Sequence, residues 1–107
     1  MEICVSEMKA SDQITIRTHF SEYSFRVIDP KGRRGVLTGG PFGNGLHEAM
    51  FVEAIHPPNC EPRASCQLKP GDRAVFFVGR DTISRITTST ITEIVLTEVS
   101  EQAANDC

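Results

Sequence analysis

Glu22-Tyr23-Ser24-Phe25-Arg26-Val27 alternates polar and apolar side chains at every step, and its reading decides the fold class. Successive side chains on a strand point to opposite faces, so Tyr23, Phe25 and Val27 share one face while Glu22, Ser24 and Arg26 share the other. A helix would need its apolar residues three and four apart. The stretch is therefore a half-buried strand. Just upstream, Ile14 and Ile16 alternate with Thr15 and Arg17 in the same way.

Moving outward, Asp29-Pro30-Lys31-Gly32 supplies turn chemistry, because Pro fixes φ and Gly accepts a positive φ. A short strand is predicted around Gly35 to Thr38. Gly39-Gly40-Pro41-Phe42-Gly43-Asn44-Gly45 is read as a loop, since glycine loses most backbone entropy in regular structure and Pro41 lacks a donor. Glu48 to Ile55 is predicted as a strand, with a short helix opening at Glu-Ala-Met as the alternative. His56 to Ser65, carrying Pro57, Pro58 and Pro62, is a second loop.

Leu68-Lys69-Pro70-Gly71-Asp72 signals a tight turn into Arg73-Ala74-Val75-Phe76-Phe77-Val78, whose apolar residues on both faces predict a central strand. Ile83 to Thr88 and Ile91 to Val99 are Thr- and Ile-rich and favour strands, with Thr88-Ser89-Thr90 as a corner or single helical turn between them. The expected core is Tyr23, Phe25, Val27, Val36, Val52, Val75, Phe77, Ile86 and Ile94.

At 107 residues the chain fits one domain and has no room for a second core. About six short strands without a convincing helix predict an all-β fold. Curling into a small barrel covers one apolar face and protects the edges, so an SH3-like or related partly open barrel is expected, with an OB-like barrel or an open sandwich as alternatives. Residues 1–13 are expected to be a partly ordered segment, 14–99 the barrel and 100–107 a frayed acidic tail.

Several motifs together resemble a group of short, functionally unassigned bacterial proteins. They are T-H-F-S-E-Y-S-F over Thr18 to Phe25, Asp29-Pro30, Gly39-Gly40, Leu68-Lys69-Pro70-Gly71 and Thr88-Ser89-Thr90-Ile91. That group shares a T-x-x-S-x-Y-x-(F/L) opening, a Gly-Gly after the second strand, a Leu-Lys-Pro-Gly turn and a Thr-Ser corner. The likeness spans Thr18 to about Ile94, and departs from the pattern at His19-Phe20, where Arg-Asn is more usual, and at Thr90, where Pro is. It implies a small β-barrel and brings no biochemical role.

Formal net charge is −3, which excludes a globally basic surface that condenses on phosphates. Between Ile14 and Gly40, however, five basic residues (Arg17, Arg26, Lys31, Arg33, Arg34) face two acidic ones (Glu22, Asp29). These five are the candidates for a weak nucleic-acid-binding barrel. The first twelve residues hold neither a signal-peptide nor a membrane-span pattern, so a cytoplasmic protein without membrane partners is expected.

Four cysteines, Cys4, Cys60, Cys66 and Cys107, are scattered rather than densely packed, and reduced thiols are the default. His56, Cys60 and Cys66 form H-x3-C-x5-C, a weak metal candidate, since zinc would need Cys4 or Cys107 as a fourth ligand and no paired C-x2-C knuckle is present. A local Cys60–Cys66 disulfide is the other non-inert reading, worth roughly 2 kcal/mol.

Catalytic constellations are thin. His19 lies two residues before Ser21 without an orienting third group, His47 reads as a surface residue, and Asp29, Asp72 and Asp81 sit in turns where Asp satisfies its own backbone. The glycine loop could cradle an anion with Arg33 and Arg34 nearby, which makes Arg33, Arg34, Gly39, Gly40 and Phe42 the candidate binding residues. It lacks the phosphate-loop and dinucleotide patterns, and no cofactor is expected. The expected function is a non-catalytic β-barrel module for a protein partner or small ligand, monomeric or weakly self-associating. Nucleic-acid binding and an enzyme of unidentified class are the alternatives.

Overall fold

The computed structural model describes residues 2–59, 63–64 and 66–98 of a small, compact, all-β domain. Among these residues nine strands follow in order: β1 (Ile3–Cys4), β2 (Gln13–Thr18), β3 (Glu22–Asp29), β4 (Arg34–Gly39), β5 (His47–Ile55), β6 (Gln67–Leu68), β7 (Arg73–Val78), β8 (Ser84–Thr87) and β9 (Ile91–Thr97). Two single 3-10 turns, Val5–Glu7 and Gly40–Phe42, complete the regular structure of the described residues. Glu48-Ala-Met belongs to β5, not to a helix. No helix among the described residues is long and apolar enough to cross a membrane.

Seven strands form one antiparallel sheet in the order β8-β7-β5-β4-β3-β2-β9, and β1 pairs separately with β6. These last two elements are two residues long and carry no readable period. The ladder leaves β8 and β9 as the edges of the large sheet. Gly71 N–H donates to Ile91 C=O at 2.8 Å, Ile91 N–H to Asp72 C=O at 2.9 Å and Thr88 N–H to Ala74 C=O at 2.9 Å. The β8–β9 corner is thereby tied to the chain entering β7. Thr88, fully buried, completes the corner: its hydroxyl accepts from Ala74 N–H at 3.0 Å and donates to Ser89 C=O at 2.8 Å.

One face of the sheet makes the core. Phe25 and Phe76 meet at 5.1 Å between ring centroids and Phe51 meets Phe76 at 5.6 Å, both in inclined geometries that suit the ring quadrupoles. Ile14, Ile16, Tyr23, Val27, Leu37, Ile91 and Ile94 surround them. Ile3 and Val5, from the segment ahead of β2, are buried in the same cluster, as is Leu68 of β6. A Cβ on Gly35 would stand 2.0 Å from Arg26 C=O and 3.1 Å from the Phe25 ring, so only glycine lets β4 approach β3 here.

The expected core holds at Tyr23, Phe25, Val27 and Ile94, Ile86 is half-buried against it, and Val75 is buried but outside the core cluster. It needs correction at three positions. Direct partners across a ladder share a face, and the pairs Phe25–Leu37 and Arg26–Val36 turn Leu37 inward and Val36 outward. On β5 and β7 the pair Phe51–Phe76 points inward, whereas Phe77 is 38% exposed and Val52 is half-buried. All three strands carry apolar residues on both faces, so alternation alone leaves their phase open.

Candidate ligand-binding groove

The side of β4, β5 and β7 that faces away from the core is itself apolar. Met50 is the ladder partner of both Arg34 on β4 and Phe77 on β7, and Val36 pairs with Glu48. These side chains line a half-open groove of about 530 Å³, bounded by Ile28 at one side and by Arg80 and Ile83 at the other. Ile28 is 55% and Ile83 57% exposed.

Turns at each side position the rim. Arg33 N–H donates to Pro30 C=O at 3.0 Å, closing the β3–β4 turn, and Arg33 itself adopts φ 56°. Its guanidinium reaches across to Val52 C=O at 3.1 Å while its own carbonyl accepts Phe51 N–H at 2.8 Å. Arg33 is thus committed to holding the turn onto β5. Arg34, the next residue, projects into the groove without an ion pair among the described residues. On the far side Gly79 has φ 124°, and a Cβ there would stand 2.0 Å from Thr82 C=O, so this tight turn swings Arg80 and Ile83 over the groove. Arg80 meets Glu48 at 3.3 Å. Two guanidinium groups and one carboxylate leave the rim with an excess positive charge, beside an apolar floor.

The candidate binding residues separate. Arg34 and Gly39 occupy opposite ends of β4, roughly 17 Å apart at the rise of a β-strand. In the glycine loop the N–H groups of Gly39, Gly43 and Gly45 donate to Gly43, Gly40 and Phe42 carbonyls at 3.0, 3.3 and 3.0 Å. Those donors are spent within the loop. Phe42 lies against the core and meets the His47 ring in a tilted contact at 4.6 Å, and a Cβ on Gly40 would strike the Tyr23 ring at 2.3 Å. The loop is built to close the sheet around Tyr23.

The basic residues are likewise dispersed. Arg17 pairs with Glu93 at 2.6 Å and Glu22 at 3.5 Å, so its charge is already answered. Arg26 and Lys31 are exposed, Arg26 on the outer face of β3. His19 and Phe20 stand exposed at the tip of the β2–β3 turn, their ring centroids 6.4 Å apart.

Cys60 lies outside the described residues, and His56 and Cys66 have separate partners. His56 places Nδ1 3.1 Å from Asp72 Oδ1, off the alignment of a hydrogen bond, and Nε2 3.3 Å from Ala64 C=O. Cys66 Sγ is 3.0 Å from Cys4 Sγ. No three His, Cys, Asp or Glu side chains among the described residues are placed to hold a metal ion together. Asp72 does cap its own turn, accepting Lys69 N–H at 3.0 Å, but it is also fully buried against Arg63. Burial alone would raise its carboxyl; the hydrogen bonds from Arg63 and Lys69 N–H, with the nearby His56 ring and the Arg63 charge, outweigh that and hold it below the usual carboxylate range.

The sequence reading did not single out Ile28, Met50, Phe77, Arg80 or Ile83 as site residues. A usable signal was present: Val36, Met50 and Phe77 are apolar at positions that a one-sided sheet would fill with polar residues. No family model matches the chain, and no curated protein or solved structure matches it.

Proposed function

We propose that the protein is a non-catalytic binding module, built on a partly open β-barrel, whose groove holds a small amphipathic anion. The observation that carries this reading is Arg34, without an ion pair among the described residues, beside the outward Val36–Met50–Phe77 floor. A volume of about 530 Å³ is within the range of small-molecule sites, which combine apolar walls with a few placed polar groups. The hydrogen bonds between Ile91 of β9 and the Gly71–Asp72 turn ahead of β7 support the barrel. A bacterial setting accords with the motif resemblance.

Protein partners are a second reading, favoured by β8, which has a sheet neighbour on one side only and lies next to the groove. An extended segment added to that edge would pair with β8 beside Ile83 at the groove rim. Nucleic acid ranks behind both, because Arg17 is neutralised and Arg33 is committed to the backbone.

Decanoate tests the first reading by amide chemical-shift titration of the folded protein. A ligand of about a dozen non-hydrogen atoms, at roughly 0.4 to 0.5 kcal/mol each, gives a Kd on the order of 10⁻⁴ M. Saturable shifts should centre on Val36, Met50, Phe77 and Gly79 and weaken about tenfold in Arg34→Ala. Shifts that do not saturate, or that spread over the whole surface, would refute the anion site.

A further inference from the structure

Cys4 closes β1 and Cys66 immediately precedes β6, and the two short strands pair Ile3 with Leu68 and Cys4 with Gln67. This pairing brings thiols separated by 62 positions in the chain to an Sγ–Sγ distance of 3.0 Å. Unbonded sulfur atoms ordinarily keep a wider separation, and a shared hydrogen bond or a covalent bond is what draws them together. Both side chains are partly exposed, so a small reagent can reach them. Next to Cys4 in the chain is Val5, fully buried at the end of the core, and Cys4 Sγ also stands 3.3 Å from Ser6 Oγ.

We infer that Cys4 and Cys66 are an oxidisable pair whose product is an intramolecular disulfide, cross-linking the N-terminal segment to the chain ahead of β6. The oxidant is a small-molecule disulfide. One protein thiolate attacks a sulfur of that oxidant, its S–S bond breaks, and one small thiolate leaves and takes up a proton. The second protein thiolate then attacks the protein sulfur of the mixed disulfide and expels the second small thiol. Two protein S–H bonds and one oxidant S–S bond become one protein S–S bond and two small-molecule S–H bonds. Because a two-residue ladder is the regular pairing that holds β1, the cross-link changes the hold on this segment more than a bond inside the seven-stranded sheet would. The pairing differs from a local Cys60–Cys66 bridge, and it closes a much longer loop.

The full chain carrying Cys60→Ser and Cys107→Ser leaves this pair as its cysteines. Reduced protein is incubated with 2-hydroxyethyl disulfide and read by intact mass, non-reducing peptide mapping and melting temperature. The expected product is a monomer lighter by two hydrogens, with peptides containing Cys4 and Cys66 joined. Its Tm should rise by about 10 °C, as closing a long loop constrains the unfolded chain. Adding Cys66→Ser should abolish both the loss of two hydrogens and the Tm rise, because Cys4 alone stops at the mixed disulfide. Two stable mixed disulfides or a cross-linked dimer in place of the internal bond would overturn the inference. So would mapping of the oxidised wild-type protein that joins Cys66 to Cys60.

Discussion

Asp72 receives a two-pronged hydrogen bond from Arg63, Nη2 to Oδ1 at 2.7 Å and Nη1 to Oδ2 at 3.2 Å, with no part of the carboxylate side chain open to solvent. Such fork geometry gives each charge a directional partner and offsets part of the cost of leaving water. The pair joins the Pro-rich loop after β5 to the turn ahead of β7. Asp72→Ala strips the guanidinium of that partner and orphans Lys69 N–H, and should cost about 3 to 5 kcal/mol. Urea denaturation measures it, and a loss under about 1 kcal/mol would show that the pair is energetically idle.

The same carboxyl dictates an acid sensitivity. Its folded pKa lies below the unfolded value of about 3.9, so the unfolded chain takes up the proton first as pH falls. The stability this group contributes is complete above pH ~5 and is lost progressively as pH drops through the folded pKa. Denaturation midpoints from pH 7 to pH 3 should therefore fall, and the slope below pH 5 should be shallower in Asp72→Asn. Equal slopes in the two proteins would assign acid unfolding to other carboxylates.

Adjacent phenylalanines on β7 have opposite surroundings, and substitution should separate them. Phe76 is fully buried between Phe25 and Phe51, and Phe76→Ala should cost about 3 to 5 kcal/mol. Phe77→Ala, on the groove face, should cost under about 1.5 kcal/mol while weakening decanoate binding. A reversed order of costs would mean that β7 is one residue out of register.

Gly35→Ala should destabilise by about 2 to 3 kcal/mol, since its Cβ would collide with backbone that cannot swing aside. Gly43→Ala offers a contrast: nothing lies near its Cβ, and only the strain of φ 57° applies. Thermal denaturation of the two variants distinguishes collision from conformational strain.

Binding to single-stranded RNA or duplex DNA should be no tighter than a Kd of about 10⁻⁶ M at physiological salt. Fluorescence anisotropy at two salt concentrations checks this. Tighter binding that Arg33→Ala with Arg34→Ala abolishes would bring the nucleic-acid reading forward.

How far the sequence could be read followed from how one-sided each element is. From Glu22 to Val27 strand β3 has apolar residues on one face only, so Tyr23, Phe25 and Val27 announced both the strand and its inward side. Strands β4, β5 and β7 are apolar on both faces because the groove lies behind the core, and there Val36, Val52 and Phe77 could not be told from Leu37, Phe51 and Phe76. The Asp72 cluster was hidden for another reason: Arg63 reaches it from an irregular loop, and loops have no period. Cys4 and Cys66 meet through strands too short to leave a pattern.

β2 lies between its sequence neighbour β3 and β9, the last strand of the described residues, with Ile14 opposite both Phe25 and Leu96. Hairpin pairings such as β2–β3 and β3–β4 can form as soon as the chain is available, but the other side of β2 must wait for residues some 76 positions later, the separation of Arg17 and Glu93. Until then a strand rich in β-branched residues presents an open row of donors and acceptors. Bridging that separation is entropically slow, and an unpaired edge is where intermolecular pairing begins. Arrival of β9 therefore sets the interval during synthesis and refolding in which this chain is open to self-association.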